Sequence, residues 1–354
     1  MTTMITMGQL DPTSVDAPVA AHYGDPMREQ RTLLTEAGVV DRSHRGVLAL
    51  TGPERLSFLH NLTTQHLSGL ADGQGTQALL LSPHGHVEHH LWLAELGDTL
   101  WIDVEPGTAA DLLAFLTRMR FFTAVELADV GADFGVWSLV GPQAQAALSR
   151  LGVPPPAETR LLAVPGPKFA TGTLPAEPTS RYELRPLPGG GFIRRTTLGF
   201  DLLLPRATAQ QTLDLLAAPP AGLWAFEALR VAARQPRLGF ETDHRTLPAE
   251  VDLIGAAVHL EKGCYRGQET VARVHHLGRP PRGLQLLHLD GIATDELPAV
   301  GVPVIAGERA VGFVGTAVRH AELGQIALAV LKRNISADTP LMVGESSAAI
   351  DSGD

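Results

Sequence analysis

The chain has 354 residues, with 28 Lys and Arg against 38 Asp and Glu, for a net charge of −10. That length calls for two or three domains rather than one, and the acidic balance argues against nucleic-acid binding as the main activity, because no cationic surplus exists to displace counterions. A composition of 44% hydrophobic and 19% charged residues is ordinary globular, no apolar run reaches the ~18 residues of a membrane span, and a single cysteine suits a reducing cytoplasm.

Residues 1–25 are mixed and polar, without a basic stretch ahead of an apolar block, and read as a flexible leader rather than a secretory signal. Val47-Leu48-Ala49-Leu50-Thr51-Gly52-Pro53 is echoed by Val136-Trp137-Ser138-Leu139-Val140-Gly141-Pro142. In each copy an apolar strand meets Gly-Pro and then a helical stretch, with Pro suited to the first helical turn. Thr51 and Glu54 predict a capping box. A second echo follows, since residues 100–104 and 200–205 both run into helices. The first of those helices carries Leu112, Phe115, Leu116 and Met119 on one face.

Two α+β units of related layout result, over 26–135 and 136–279. The alternative is two junctions that share Gly-Pro by chance. Pro- and Gly-rich residues 152–191 interrupt the second unit as loop material. A helix over 224–234 stops before Pro236 and carries Arg230 beside an apolar face. After Pro280-Pro281 the apolar runs 284–289, 302–305, 310–318 and 326–331 predict an antiparallel β domain over 280–346, then a tail over 347–354.

The only cysteine lies in Lys262-Gly263-Cys264-Tyr265-Arg266-Gly267-Gln268-Glu269. A lone thiol is either a small buried hydrophobe or a reactive group, and these neighbours favour the second. Lys262 could stabilise a thiolate, the glycines allow close backbone approach, and Gln268 and Glu269 need polar partners if buried.

This octapeptide resembles the signature of the YgfZ family, folate-binding relatives of the glycine-cleavage T-protein, the aminomethyltransferase. Leu229-Arg230-Val231, Arg237-Leu238-Gly239-Phe240-Glu241, Thr246-Leu247-Pro248-Ala249-Glu250 and Val271-Ala272-Arg273-Val274-His275 fall in the family's order. The resemblance implies two interlocked ferredoxin-like α/β units around a central folate channel, followed by a C-terminal β-barrel. It implies tetrahydrofolate or another reduced folate as ligand, with Arg230 near the glutamate tail and Asp103, Lys262, Tyr265, Gln268 and Glu269 around it. Beside those roles stand plain ones. Arg230 could snorkel off its helix, Tyr265 could be core edge, and Asp103 could be a turn former.

The sequence departs from the T-protein at two places. Its paired aspartates fall where this chain has His89 and His90, and Thr197-Leu198 stand where a pterin-contacting glutamate precedes Gly-Phe. Both changes predict that the chain is not an aminomethyltransferase. The expected function is therefore a folate-binding accessory protein for iron–sulfur cluster assembly or repair, with Cys264 as a redox or cluster-contacting thiolate. Transient iron–sulfur partners and a cytoplasmic location go with it; the alternative is tetrahydrofolate-dependent aminomethyl transfer. His84, His86, His89 and His90 read as a solvent-facing hairpin rather than a metal site, because the turn at Pro83–Gly85 spoils the alternation that would converge them.

Overall fold

Two copies of one strand–helix plan form the body of the protein. The computed structural model describes residues 8–157, 181–277, 279–292 and 294–352. A short pairing of β1 (Gly8–Gln9) with β2 (Ala20–His22) leads to α1 (Pro26–Thr35) and β3 (Gly38–Asp41). The first unit is β4 (Gly46–Thr51), α2 (Arg55–Leu62), β5 (Gln74–Leu81), β6 (Val87–Leu96), β7 (Thr99–Val104), α3 (Ala109–Met119) and β8 (Glu126–Asp129). The second repeats that order as β9 (Phe134–Val140), α4 (Ala144–Leu148), β10 (Tyr182–Pro186), β11 (Phe192–Thr196), β12 (Gly199–Pro205), α5 (Arg206–Leu216) and β13 (Pro220–Ala221).

Strands β3 to β13 join in one eleven-stranded sheet, ordered β13-β3-β9-β12-β11-β10-β5-β6-β7-β4-β8. Read outward from the β10–β5 seam, the halves match strand for strand, except that β3 is inserted between β9 and β13. The two Gly-Pro junctions are equivalent turns. Gly52 and Gly141 have φ of 102° and 118°, and a side chain at either would place Cβ 2.4 Å from a backbone oxygen, of Ala124 and Glu36 respectively. The expected capping box does not form. Glu54 Oε2 instead accepts from the Ala124 amide at 2.6 Å, tying α2 to the start of β8.

Alternating apolar residues bury one face of each half-sheet under its helices. In the first unit Leu48, Leu50, Leu80, Leu91 and Ile102 meet Phe58, Leu59, Leu112 and Leu116. In the second Leu139, Ile193, Leu202 and Leu204 meet Ala147, Leu148, Ala209 and Leu216. Next come α6 (Leu223–Ala232) and α7 (Gln268–Leu277). The chain then enters a closed barrel of β14 (Arg282–Leu289), β15 (Pro303–Ala306), β16 (Arg309–His320), β17 (Gly324–Lys332), β18 (Leu341–Val343) and β19 (Ser346–Ile350). Ala228 and Val231 of α6 share a core with Leu284, Leu286 and Leu328 of the barrel and with Leu79 and Leu81 of β5. That helix therefore joins all three bodies.

Three boundaries differ from expectation. Residues 8–22 are no loose leader, because β1 and β2 pair and Asp16 between them is buried in ion pairs; residues 1–7 lie outside the described residues. Residues 347–350 of the expected tail belong to β19, held to β14 and β18. Within 152–191, residues 158–180 lie outside the described residues, while Tyr182–Pro186 is the strand β10 at the seam of the sheet.

Candidate functional site

Where the two half-sheets, α6 and the barrel meet, a continuous set of buried ion pairs fills the interior. Asp103, at the end of β7, accepts from Arg45 Nε at 3.0 Å and from both terminal nitrogens of Arg194, one at 3.0 Å. Arg194, on β11, also reaches Asp201 on the neighbouring β12 at 2.8 Å. Asp103 and Asp201 occupy corresponding strands of the two units, and Arg194 bridges them with its guanidinium 4.7 Å from the Trp92 ring centroid. Asp201 further accepts from Ser138 at 2.6 Å and Arg42 at 3.3 Å. Arg45 reaches Glu105 at 2.7 Å, and Glu105 accepts in turn from Arg237 at 3.0 Å. Arg237 also holds Asp16 through two bonds of 2.9 and 3.0 Å.

On α6, Arg230 donates to Glu227 Oε2, to Glu241 Oε2 at 3.2 Å, to the Gln235 carbonyl and to Thr316 Oγ1 at 2.5 Å. Thr316 sits where the β16–β17 register shifts. Neighbouring Gly315 has no Cβ to block Glu241, whose Oε1 would lie 2.5 Å from it. The irregularity thus lets a carboxylate reach the Thr316 amide at 2.7 Å and ties the barrel to α6.

These charges are nearly balanced, Arg42, Arg45, Arg194, Arg230 and Arg237 against Asp16, Asp103, Glu105, Asp201, Glu227 and Glu241. Only such balance makes their burial tolerable. Burial alone would raise Asp16, but hydrogen bonds from His44 and Arg237 outweigh it and hold the carboxyl at about 2. Burial likewise opposes ionisation of Asp201, yet Arg42 and Arg194 bring it to about 2. Burial lowers Arg42 itself to about 10, against the pull of Asp201. In the middle lies a cavity of about 10 Å³ lined by Arg42, His44, Arg45, Pro106, Leu223, Glu227 and Arg237. Sequence reading found only Arg230 and Asp103 of this set. The available signal was a charge inside an apolar strand, as with Arg194 in β11 and Asp201 in β12.

The octapeptide lies elsewhere, against the first unit rather than the second. Lys262 Nζ donates to the carbonyls of His60 and Thr63 at the end of α2, the latter at 2.5 Å, so the ammonium caps a helix C-terminus. Burial lowers Lys262 to about 8. Tyr265 is core, packed with Leu79, Leu81, Val87 and Val271. Gln268 Nε2 closes the loop onto the Lys262 carbonyl at 2.9 Å; Glu269 and Cys264 are exposed.

The glycines fit the motif to the Ser82–His86 turn. A Cβ at Gly267, where φ is 82°, would stand 2.7 Å from Gly85 Cα and from the Ser82 carbonyl oxygen. Gly267→Ala is expected to lose about 1–3 kcal/mol of unfolding free energy from backbone conformation alone, measured by urea titration. A loss below about 0.5 kcal/mol would mean the contact yields freely.

The histidines are not all solvent-facing. His84 is exposed, but His90 Nε2 lies 2.8 Å from Gln77 Oε1 inside the sheet, and burial holds it neutral down to about 4. Among the described residues no three His, Cys, Asp or Glu converge on a possible metal position. Arg230 is no free cation, since all five of its N–H hydrogens are taken. Asp103 is no turn former, since both oxygens are bridged by arginines. A folate requires a flat slot and a free cation. Glu227 Oε1 offers an unused acceptor, but a cavity of about 10 Å³ cannot admit a pterin.

Residues 21–159 match the GCVT N-terminal domain. A chloroplastic protein of Arabidopsis thaliana bearing a transferase name is 28% identical over 253 residues, 67% of this chain and 52% of its own length. The chain thus spans about half of that relative. The aminomethyltransferase of Herpetosiphon aurantiacus is 28% identical over 343 residues, 93% of this chain and 88% of its own. Among solved structures, the glycine cleavage system aminomethyltransferase T of Bartonella henselae superposes with a TM-score of 0.74 at 20% identity, over 98% of this chain and 90% of its own.

These relatives overturn the expectation of a protein that is not an aminomethyltransferase, because several aminomethyltransferases align along most of the chain. The His89-His90 substitution misled for a physical reason. The interior beside His90 is supplied with the carboxylates of Asp103 in β7 and of Glu105 just after it, whose charges act on it. Residues 21–159 match the GCVT N-terminal domain, and the chain as a whole has the fold of the T-protein structure.

Proposed function

We propose that the protein is a one-carbon transferase of the aminomethyl-transfer type, with a reduced folate as the acceptor. The observation that carries this reading is the alignment of aminomethyltransferases along as much as 93% of the chain. A reduced folate supplies the nitrogens that take up a transferred carbon. The chain's part is to hold a water-poor, charge-balanced interior at the junction of both units and the barrel, where a charge that develops is felt strongly.

The test is incubation with tetrahydrofolate and an aminomethylated lipoyl carrier protein, with methylene-folate measured over time. Product above the protein-free background is expected. Absence of product, together with no calorimetric binding of reduced folates at millimolar concentration, would overturn the reading.

A second reading, service to iron–sulfur proteins, has one observation in its favour: the Cys264 thiol is exposed and open to a partner. It would be carried by loss of iron–sulfur enzyme activity in cells bearing Cys264→Ser while transfer in vitro stays intact, and dropped if those cells are normal.

A further inference from the structure

A second cavity lies away from the ion pairs, between α1, the start of α6 and the last residues of β16. Its volume is about 240 Å³, and Met27, Trp224, Leu297, Ala317 and Val318 give it apolar walls, with Gln30 and Arg319 as the polar members. Gln30 holds two of the walls together. It is 2% exposed, and its amide donates to the Arg319 carbonyl and accepts from the Ala321 amide, each at 2.8 Å. Both ends of that amide are engaged by the protein, so the interior selects for apolar surface. The space is therefore preformed, which lowers the cost of filling it.

The walls also say what shape of guest they suit. Trp224 is 46% exposed although it forms part of a concave wall, and the His22 ring packs beside it with centroids 5.3 Å apart. An indole left open in this way offers a large rigid surface to another ring, and the Met27 thioether adapts to its edge. A cavity of about 150 Å³ takes benzene, so this one takes a larger, fused ring. Arg319 supplies the charge. Its guanidinium donates to the Asp295 carboxylate and carbonyl, which takes two of its five N–H hydrogens. That pair stands at the rim, with Arg319 40% and Asp295 84% exposed, where an ion pair is weakly held and open to exchange. A guanidinium with donors to spare matches a carboxylate.

We propose that this cavity binds a planar aromatic carboxylate, with its fused ring against Trp224 and Met27 and its carboxylate on Arg319. The site is separate from the transfer reaction and does not depend on it. An occupant touches α1, α6 and β16 at once. Ala317 follows Thr316, the barrel residue that accepts from Arg230, so a bound ligand braces the barrel against α6 and stabilises the fold by mass action.

The experiment is calorimetric titration of the full chain with naphthoate and, as the uncharged comparison, naphthylmethanol. Naphthoate should bind with a dissociation constant on the order of 0.1–1 mM, the range open to a ligand of this size, and should raise the thermal midpoint. Naphthylmethanol should bind about tenfold more weakly. Arg319→Gln should remove that difference by weakening naphthoate alone. Trp224→Ala and Met27→Trp, the first opening one wall and the second filling the space, should each weaken both probes at least fivefold. Because they lie on different helices, a folding defect in one leaves the other to decide. No binding of naphthoate at millimolar concentration would overturn the proposal. So would equal affinity for the two probes, or affinities unchanged in both wall variants, which would mean adventitious binding elsewhere.

Discussion

Asp103→Ala should lower the unfolding free energy by about 3–5 kcal/mol, the usual penalty for removing one partner from a buried ion pair. The carboxylate is 1% exposed and bridges Arg45 and Arg194. Its loss leaves two guanidinium groups facing each other with no water to separate them. Arg45 keeps Glu105 and Arg194 keeps Asp201, so the change should be a destabilisation rather than a failure to fold. Asp103→Asn preserves the shape and one acceptor oxygen, and should lose about 1.5–3 kcal/mol, the scale of a hydrogen bond to a charged group. Urea titrations of the three proteins decide the matter. A loss below 1 kcal/mol for the alanine variant would mean that the arginines find other partners.

The second large effect is acid lability. Asp16 and Asp201 are held at about 2 in the folded protein, because their arginine and histidine partners outweigh burial. Unfolded aspartate ionises near 4. A carboxylate whose folded value is depressed contributes stability that is present above its unfolded value and disappears as the pH falls through the folded one. That window runs from about pH 4 to about pH 2, and Asp201 alone accounts for about 2 kcal/mol across it. The loss starts earlier, since burial depresses His60 and His90 to about 4. An unfolded histidine takes up its proton near 6.5 while the folded one resists, so stability already declines as the pH falls from about 6.5 to about 4. Urea midpoints at pH 7, 5, 4 and 3 should fall at every step. A flat profile to pH 3 would mean the carboxylates are unpaired in solution.

The fold was largely legible because it is built from local signals repeated twice. Gly52-Pro53 and Gly141-Pro142 mark the same turn in each unit, and the apolar runs after residue 280 correspond to β14 through β17. The interior was not legible, because ion pairs between distant segments leave no spacing to read. Arg237 and Asp16 meet across a sequence separation of 221, and Arg194 and Asp103 across 91. Arg230 was recognised by its neighbours in sequence, but its occupation by Glu227, Glu241, Gln235 and Thr316 depends on a register shift in the barrel that no pattern announces. Cys264 and its glycines were noticed for chemistry, whereas Gly267 is required by the close approach of Gly85.

The insertion of β3 has a consequence for synthesis on the ribosome. Val39 and Val40 pair in parallel with Pro220 and Ala221, about 180 residues further along. At 5–20 residues per second that is a wait of roughly 10–40 s. The β4–β8 half of the sheet emerges complete long before then. A nascent chain that has passed β9 but not β13 therefore carries β3 as an open, apolar edge, the kind of surface on which strands from other chains add. Arg42 meanwhile stands without Asp201, and Asp16 without Arg237. A ribosome stalled inside that interval, or a message cut short within it, would release a product prone to aggregation.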